Sequence, residues 1–329
     1  TGLVGSFKEI YSINGFDKKQ QANYIERFAQ HIEMGEEKTS KLQDMLEDRS
    51  LSELYETPLH LSIACLLYIE EGQLPNTQTE LFTEVHDYMK NKAKKRLESQ
   101  FDERHADIDQ ALCHLQKEAF ECYKREDTDL KDANFNRAPW TPEDYSQAGF
   151  VIKKSHARRL KPAVLTYGFA HRSYHEYLCA LHLSLMSVED LEAWLKAIRV
   201  YHHENVIIFL YGLLQEKKLL TMVSVTMEKM TSQIMTFYSP CSQSHLIYSC
   251  IKEMNTVSAE IADVIADHCP RDITISRHCN EGCLRGVLAI CRVMKIKQEK
   301  LRLDVDLRTS RDLIPIMKEL SDAHCIECV

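Results

Sequence analysis

Apolar residues recur at helical spacing along most of the chain. Tyr24, Ile25, Phe28 and Ile32 predict the buried stripe of a helix. Asp17 precedes that stripe and Gln20 follows it by three, the spacing of a capping box. Ser50 and Glu53 repeat the spacing before Leu54. Thr57-Pro58 predicts another helix start, with Thr57 as the cap and Pro58 where no backbone N–H is needed. The run 59–69 is apolar nearly all round and is expected to be buried. Residues 72–76 read as a linker. Ahead of all this, residues 8–13 alternate enough to form a strand, which Asn14-Gly15 ends.

Beyond the linker, Thr77 and Glu80 predict a cap for a helix carrying Leu81, Phe82, Val85, Tyr88 and Met89 inward. After a polar stretch, Ile108, Leu112, Leu115, Ala119 and Cys122 share one helical face. Thr141-Pro142 opens a short helix. Residues 150–152 and 163–169 predict two strands around a basic loop of Lys153, Lys154, His156, Arg158, Arg159 and Lys161. Helix, helix, short helix, β-hairpin is the element order of a winged helix. Ser187 then caps a helix with Leu191, Trp194, Leu195 and Ile198 inward. Residues 206–214 predict a buried helix in which Gly212 permits a close approach. Further helices run to about Asp267.

The pattern changes after that. Ile273 and Ile275 precede a stripe of Leu284, Val287, Leu288 and Cys291; Leu301 and Leu303 precede one of Leu313, Ile316, Met317 and Leu320. Leu301 stands 28 residues after Ile273, and Leu313 stands 29 after Leu284. A strand plus a helix at that period predicts leucine-rich repeats, whose units span roughly 20–29 residues. Two such units cannot bury a core alone, so further repeats are expected to follow.

Composition sharpens the picture in a few places. Ten Gly and eight Pro in 329 residues are few breakers, which favours helices over an all-β fold. A hydrophobic content of 44% can fill two or more packed domains. The net charge of -8 argues against a general polyanion binder. The longest apolar run, 206–214, is far too short to cross a bilayer, so no membrane span is expected. Residue 1 is Thr rather than Met, so the chain is expected to be a fragment. Of the twelve cysteines, Cys65, Cys113, Cys122, Cys179 and Cys291 sit in apolar helical patterns as small hydrophobes. That usage points to a cytoplasmic protein rather than a disulfide framework.

The most informative stretch is Phe169-Ala170-His171-Arg172-Ser173-Tyr174-His175-Glu176-Tyr177-Leu178-Cys179-Ala180. It resembles the Phe-x-His-x-Ser-Phe-Gln-Glu-Phe-x-Ala-Ala signature near the end of the winged-helix region in NACHT-type signalling ATPases, the NOD-like receptors and their relatives. His175 departs from it, since the family usually has Gln there. Residues 10–16 resemble the strand ending in Gly-Phe that closes the family's ATPase core. Residues 209–214, Phe-Leu-Tyr-Gly-Leu-Leu, resemble the Phe-x-x-Gly-Leu-Leu helix of its second helical domain. The resemblance implies a mainly α chain in five parts: 1–13, the last strand of the NTPase core; 14–72, a first helical domain; 73–172, a winged helix with a small β-hairpin; 173–268, a second helical domain; and 269–329, the first two leucine-rich repeats of an α/β solenoid.

The same resemblance implies two nucleotide-binding residues, Pro58 against adenine and His171 on a β-phosphate. It implies ATP or ADP with Mg²⁺ in the complete protein, with no tight binding to this stretch. The implied function is the regulatory part of an ATP/ADP-controlled innate-immunity switch. It would sense an unknown ligand at the repeats and signal by self-association through the NACHT module. The complete protein would be a slow NTPase. This stretch would not hydrolyse ATP, because no Gly-Lys pair and hence no phosphate-binding loop occurs in it.

Blander readings stand beside these. His171 can simply cap the helix that follows it, and Pro58 can mark an ordinary helix start. His171, His175, Cys179 and His182 fall near one helical face, and Cys279, Cys283, Cys325 and Cys328 invite a zinc reading. Packed helix and repeat positions account for both sets, so no metal is expected. The alternatives for the whole are a nucleotide-independent helical scaffold and a DNA-binding winged-helix regulator, though no DNA partner is expected.

Overall fold

The computed structural model describes residues 15–47, 54–99, 108–158, 161–214, 216–233, 240–254, 257–268, 272–275, 287–288, 290–291, 293, 301–305 and 326–328. The expected strand at 8–13, the Ser50/Glu53 box, Leu284, the stripe from Leu313 to Leu320, and Cys279, Cys283 and Cys325 lie outside them. The described residues are mainly helical. The chain divides into two compact units, Thr1–Asn76 and Thr77–Val329.

In the first unit, α1 spans Lys18–His31, α2 Glu36–Glu47 and α3 Pro58–Glu71. The capping box forms as read: the Gln20 N–H donates to the Asp17 carboxylate at 2.7 Å, and the Asp17 N–H donates back to the Gln20 side chain at 2.9 Å. The buried stripe of α1 is Gln21, Ile25 and Ala29, while Ile32, just past the helix end, is 37% exposed. The Phe16 N–H donates to the Glu56 carbonyl in the turn Leu54–Glu56. A β-carbon on the neighbouring Gly15 would lie 2.7 Å from that oxygen, so only glycine fits. Pro58 occupies the first turn of α3 as expected, but the Thr57 side chain makes no capping hydrogen bond. Gly72 ends α3 in the left-handed conformation, φ 73°. The expectation of a fully buried α3 needs correction. His60, Leu61, Ala64, Cys65, Leu67 and Tyr68 are buried, whereas Leu66 and Ile69 are 56% and 47% exposed. A run apolar all round still has an outer face when one side alone is covered.

In the second unit, α4 is Gln78–Ser99, α5 Ile108–Lys124, β1 Asp129–Leu130, α6 Pro142–Gln147, β2 Ile152–Arg158 and β3 Lys161–Gly168. The Thr77 hydroxyl accepts the Glu80 N–H, and the predicted face of α5 is buried throughout. On α4, Tyr88 points outward at 45% exposure, and His86, unread in the sequence, is buried instead. Strands β1, β3 and β2 form an antiparallel sheet in that order. The supposed basic loop is itself strand: Lys153, Lys154, His156 and Arg158 lie in β2, and Lys161 opens β3. Lys153 pairs with Glu143 and Lys154 with Asp129, each at under 3 Å.

The chain continues through α7, Arg172–Leu185; α8, Val188–Ala197; α9, Glu204–Leu213; α10, Glu216–Gln233; α11, Pro240–Glu253; and α12, Ala259–His268. Ser187 caps α8 through the Asp190 N–H. Phe82 through Ala266 build one hydrophobic core, joined by Val287, Ile290, Cys291 and Val293. Strands β4, Asp272–Ile275; β5, Leu301–Val305; and β6, Ile326–Cys328, then form a parallel sheet in that order. Ile273 pairs with Leu303 and Leu303 with Cys328. The first pairing spans 30 residues and the second 25, on either side of the 28-residue strand offset read in the sequence.

Candidate functional site

The sequence singled out 169–180, and the structure makes this stretch the buried centre of the second unit. Helix α7 packs against α5, α9 and α4. Residues Tyr174 to Ala180 are all buried, as is Leu183. A helix enclosed on nearly every side must satisfy each polar side chain it carries, and α7 carries several.

At its start, His171 is the N-cap with extended backbone, φ -149° and ψ 152°. Its Nδ1 accepts the Ser173 N–H at 3.2 Å. An imidazole can accept there only through an unprotonated nitrogen, so a neutral His171 carries its proton on Nε2. The blander sequence reading, a capping histidine, therefore describes one contact the ring makes inside the protein. Arg172 pairs with Glu176 at 2.9 Å, and Glu176, 3% exposed, also accepts from the Asn205 side chain at 2.8 Å. The motif glutamate thereby ties α7 to α9.

His175 lies flat against Phe169, ring centroids 4.3 Å apart, and its Nε2 meets the Ala119 carbonyl of α5 at 2.8 Å. Burial lowers its pKa, partly offset by that carbonyl and by Glu176. Tyr174 bonds His86 Nδ1 at 3.0 Å, and the Tyr177 hydroxyl donates to Thr83 at 3.0 Å, so both phenols anchor α7 to α4. Burial pushes His86 down to about 4 and holds Tyr174 well above the usual phenol range. His86 is therefore neutral at pH 7. Tyr123 of α5 bonds His203 Nδ1 at 2.9 Å, and burial lowers His203 as well.

The zinc candidates separate into packing roles. His171 caps, His175 bonds a carbonyl, His182 lies against Phe120 at 5.3 Å, and burial holds the Cys179 thiol well above its usual range. Among the described residues no cluster of three or more His, Cys, Asp or Glu is placed to hold a metal ion. Cys65 and Cys122 are likewise buried, with thiols pushed up to about 12 and about 11, while Cys113 is exposed against expectation.

Pro58 is exposed at the start of α3 and belongs to the first unit; His171 belongs to the second. Sequence reading missed His86, Tyr123, His203 and Glu253. The carboxylate of Glu253 accepts the N–H groups of Gln78 and Thr79 at 3.1 and 2.8 Å, closing the start of α4 from 174 residues away. No local pattern announces such a partner.

A scan against protein-family models finds no match to this chain, and a search of curated proteins finds none either. Among the described residues, no helix is long and apolar enough to cross a membrane.

Proposed function

We propose that this chain is the regulatory part of an ATP/ADP-controlled switch of NOD-like receptor type, cytoplasmic and signalling by self-association. In this reading the second unit holds a winged helix, a second helical domain and the opening leucine-rich repeats. The observation that carries it is the position of His171, at the junction between a three-stranded antiparallel sheet and a buried helix. A neutral ring whose Nδ1 is engaged by Ser173 has its N–H on Nε2, the donor a β-phosphate requires. A second support is the parallel order β4-β5-β6 at spacings close to the repeat period. Pro58 would contact adenine, and ligand at the repeats would favour the released state through differential contacts.

His171→Asn tests this in the complete protein. Asparagine keeps an acceptor for the Ser173 N–H but lacks the imidazole donor. The reading expects faster ADP loss and more basal self-association with unchanged thermal stability. Unaltered ADP retention would overturn it.

One specific observation favours the scaffold alternative. His171, Tyr174, His175, Glu176 and Tyr177 each already hold a contact within the protein that accounts for their residue type. In that reading the motif preserves packing, and neither ATP nor ADP binds at all.

A further inference from the structure

Three imidazoles line the contacts that hold α7, α5, α4 and α9 together, and each is set among aromatic rings. His86 of α4 faces Tyr174 and Tyr177 of α7 and Phe150 ahead of β2, with ring centroids 6.0 to 6.2 Å away. The charges that act on it, Asp87 and Lys90, come from its own helix. His175 of α7 is covered by Phe169 and edged by Tyr123 of α5, at 4.3 and 5.7 Å. The Ala119 carbonyl of α5 meets its Nε2, and Glu176 and Arg172 flank it on α7. His203, ahead of α9, meets Tyr123 of α5 and Trp194 of α8 at 5.4 and 5.9 Å, with His202 and Glu126 nearby. The ring hydrogen bonds go to two phenols and one carbonyl, none of them a carboxylate.

We infer that the second unit contains an acid-labile seam, in which proton uptake by His86, His175 and His203 loosens α7 and α9 from α4 and α5. An imidazolium at any of these positions has no counter-charge bonded to it, and at the buried His86 and His175 it has little water to solvate it. Two of the three share a ring, and the third reaches α9 through one. Tyr123 touches both His175 and His203, and Tyr177 touches both His86 and Phe209 of α9. Charging His175 or His203 therefore disturbs a ring that the other also packs on, and charging His86 disturbs the aromatic contact that runs on to α9.

The direction follows from linkage. A histidine whose folded pKa lies below its unfolded value leaves the unfolded chain binding more protons between the two, so stability is lost as pH falls through that window. For His86 the window runs from the ordinary 6.5 down to about 4. His182 and His114, half-buried on α7 and α5, shift in the same direction. The buried carboxyl of Glu253 is raised, chiefly by burial, and therefore acts with the opposite sign.

The test is urea unfolding of the full chain at about pH 7.5 and about pH 5.5, where most carboxylates stay ionised. His86 alone should raise the unfolding equilibrium constant about tenfold over that step. In the variant H86N/H175Q/H203N, each amide keeps the hydrogen bond of the ring nitrogen it replaces and cannot titrate. It should lose more than half of the pH dependence. An unfolding constant equal at both pH values, or a variant that keeps most of the dependence, would overturn the seam. Should the variant not fold, ring-proton NMR of the unaltered chain decides. His86 staying neutral to well below pH 6 supports the inference, and titration near its ordinary value sinks it.

Discussion

Gly212 of α9 stands where any larger residue would strike Thr79 of α4. A β-carbon there would lie 2.5 Å from both the Cβ and the hydroxyl of Thr79 and 2.7 Å from its methyl. Thr79 cannot swing clear, because its own N–H is held by the buried Glu253 carboxylate and its side chain is buried. Gly212→Ala should therefore force α9 and α4 apart, at a cost of about 1–3 kcal/mol. Chemical denaturation of that variant beside the unaltered chain measures it, and a cost under ~0.5 kcal/mol would show that the helices yield freely.

Glu253 completes the start of α4 from α11. Glu253→Ala leaves the buried Thr79 N–H and the part-buried Gln78 N–H without their acceptor, which should cost about 1–3 kcal/mol. Glu253→Gln keeps one acceptor oxygen and should cost less. The sign of its pH effect is also set. With the folded pKa raised, the carboxyl contributes stability that is present at low pH and declines as pH rises through its folded pKa. Stability of Glu253→Gln against the unaltered chain, followed from acid to neutral pH, reads this out as a difference that shrinks toward neutrality for the glutamine.

Helix α10 carries two lysines that close the carboxyl ends of other helices. Lys218 donates to the carbonyls of Ser184 and Met186 at the end of α7, and Lys229 to those of Leu195, Lys196 and Ile198 at the end of α8. Cations there also oppose the negative end of the helix dipole. Lys218→Met and Lys229→Met should each lose about 1–2 kcal/mol. Amide exchange would locate the loss: α7 and its neighbours for the first, α8 for the second. Uniform loss across the unit would contradict separate caps.

His171→Ala removes the N-cap of α7 and should lower stability by about 1 kcal/mol, while His171→Ser, a strong cap, should restore it. Thermal unfolding of the pair isolates the capping role from any part the ring plays toward nucleotide. An alanine variant as stable as the unaltered chain would mean that the 3.2 Å contact contributes little.

The legible parts of this chain were the local ones. Asp17 caps with Gln20 as their spacing suggests, and Thr141 and Ser187 open helices where they were read, taking the N–H groups of Asp144 and Asp190, because each partner sits three residues from its cap. The buried face of α5 likewise follows from a 3.6-residue period with polar residues opposite. Gly212 was readable because a glycine inside a strongly apolar helix has few purposes other than close approach.

Elsewhere the pattern misled for identifiable reasons. Tyr88 and His86 both fit a helical stripe, and hydropathy favours the tyrosine; the phenols of α7 supply a partner that buries the histidine instead. The basic run after Val151 looked like a loop because its charges repel burial, yet Glu143 and Asp129, distant in sequence, neutralise Lys153 and Lys154 on a paired strand.

Sequence spacing thus dictated where helices such as α1, α3 and α8 begin and which face of α5 turns inward, since these depend on neighbours within a turn or two. Which histidines lie buried, which carboxylate closes α4 and which lysines close α7 and α8 depended on groups 31 to 175 residues away. Only folding brings those groups within hydrogen-bond reach, and the cost of leaving any of them unpaired in a dry core is what selects the arrangement.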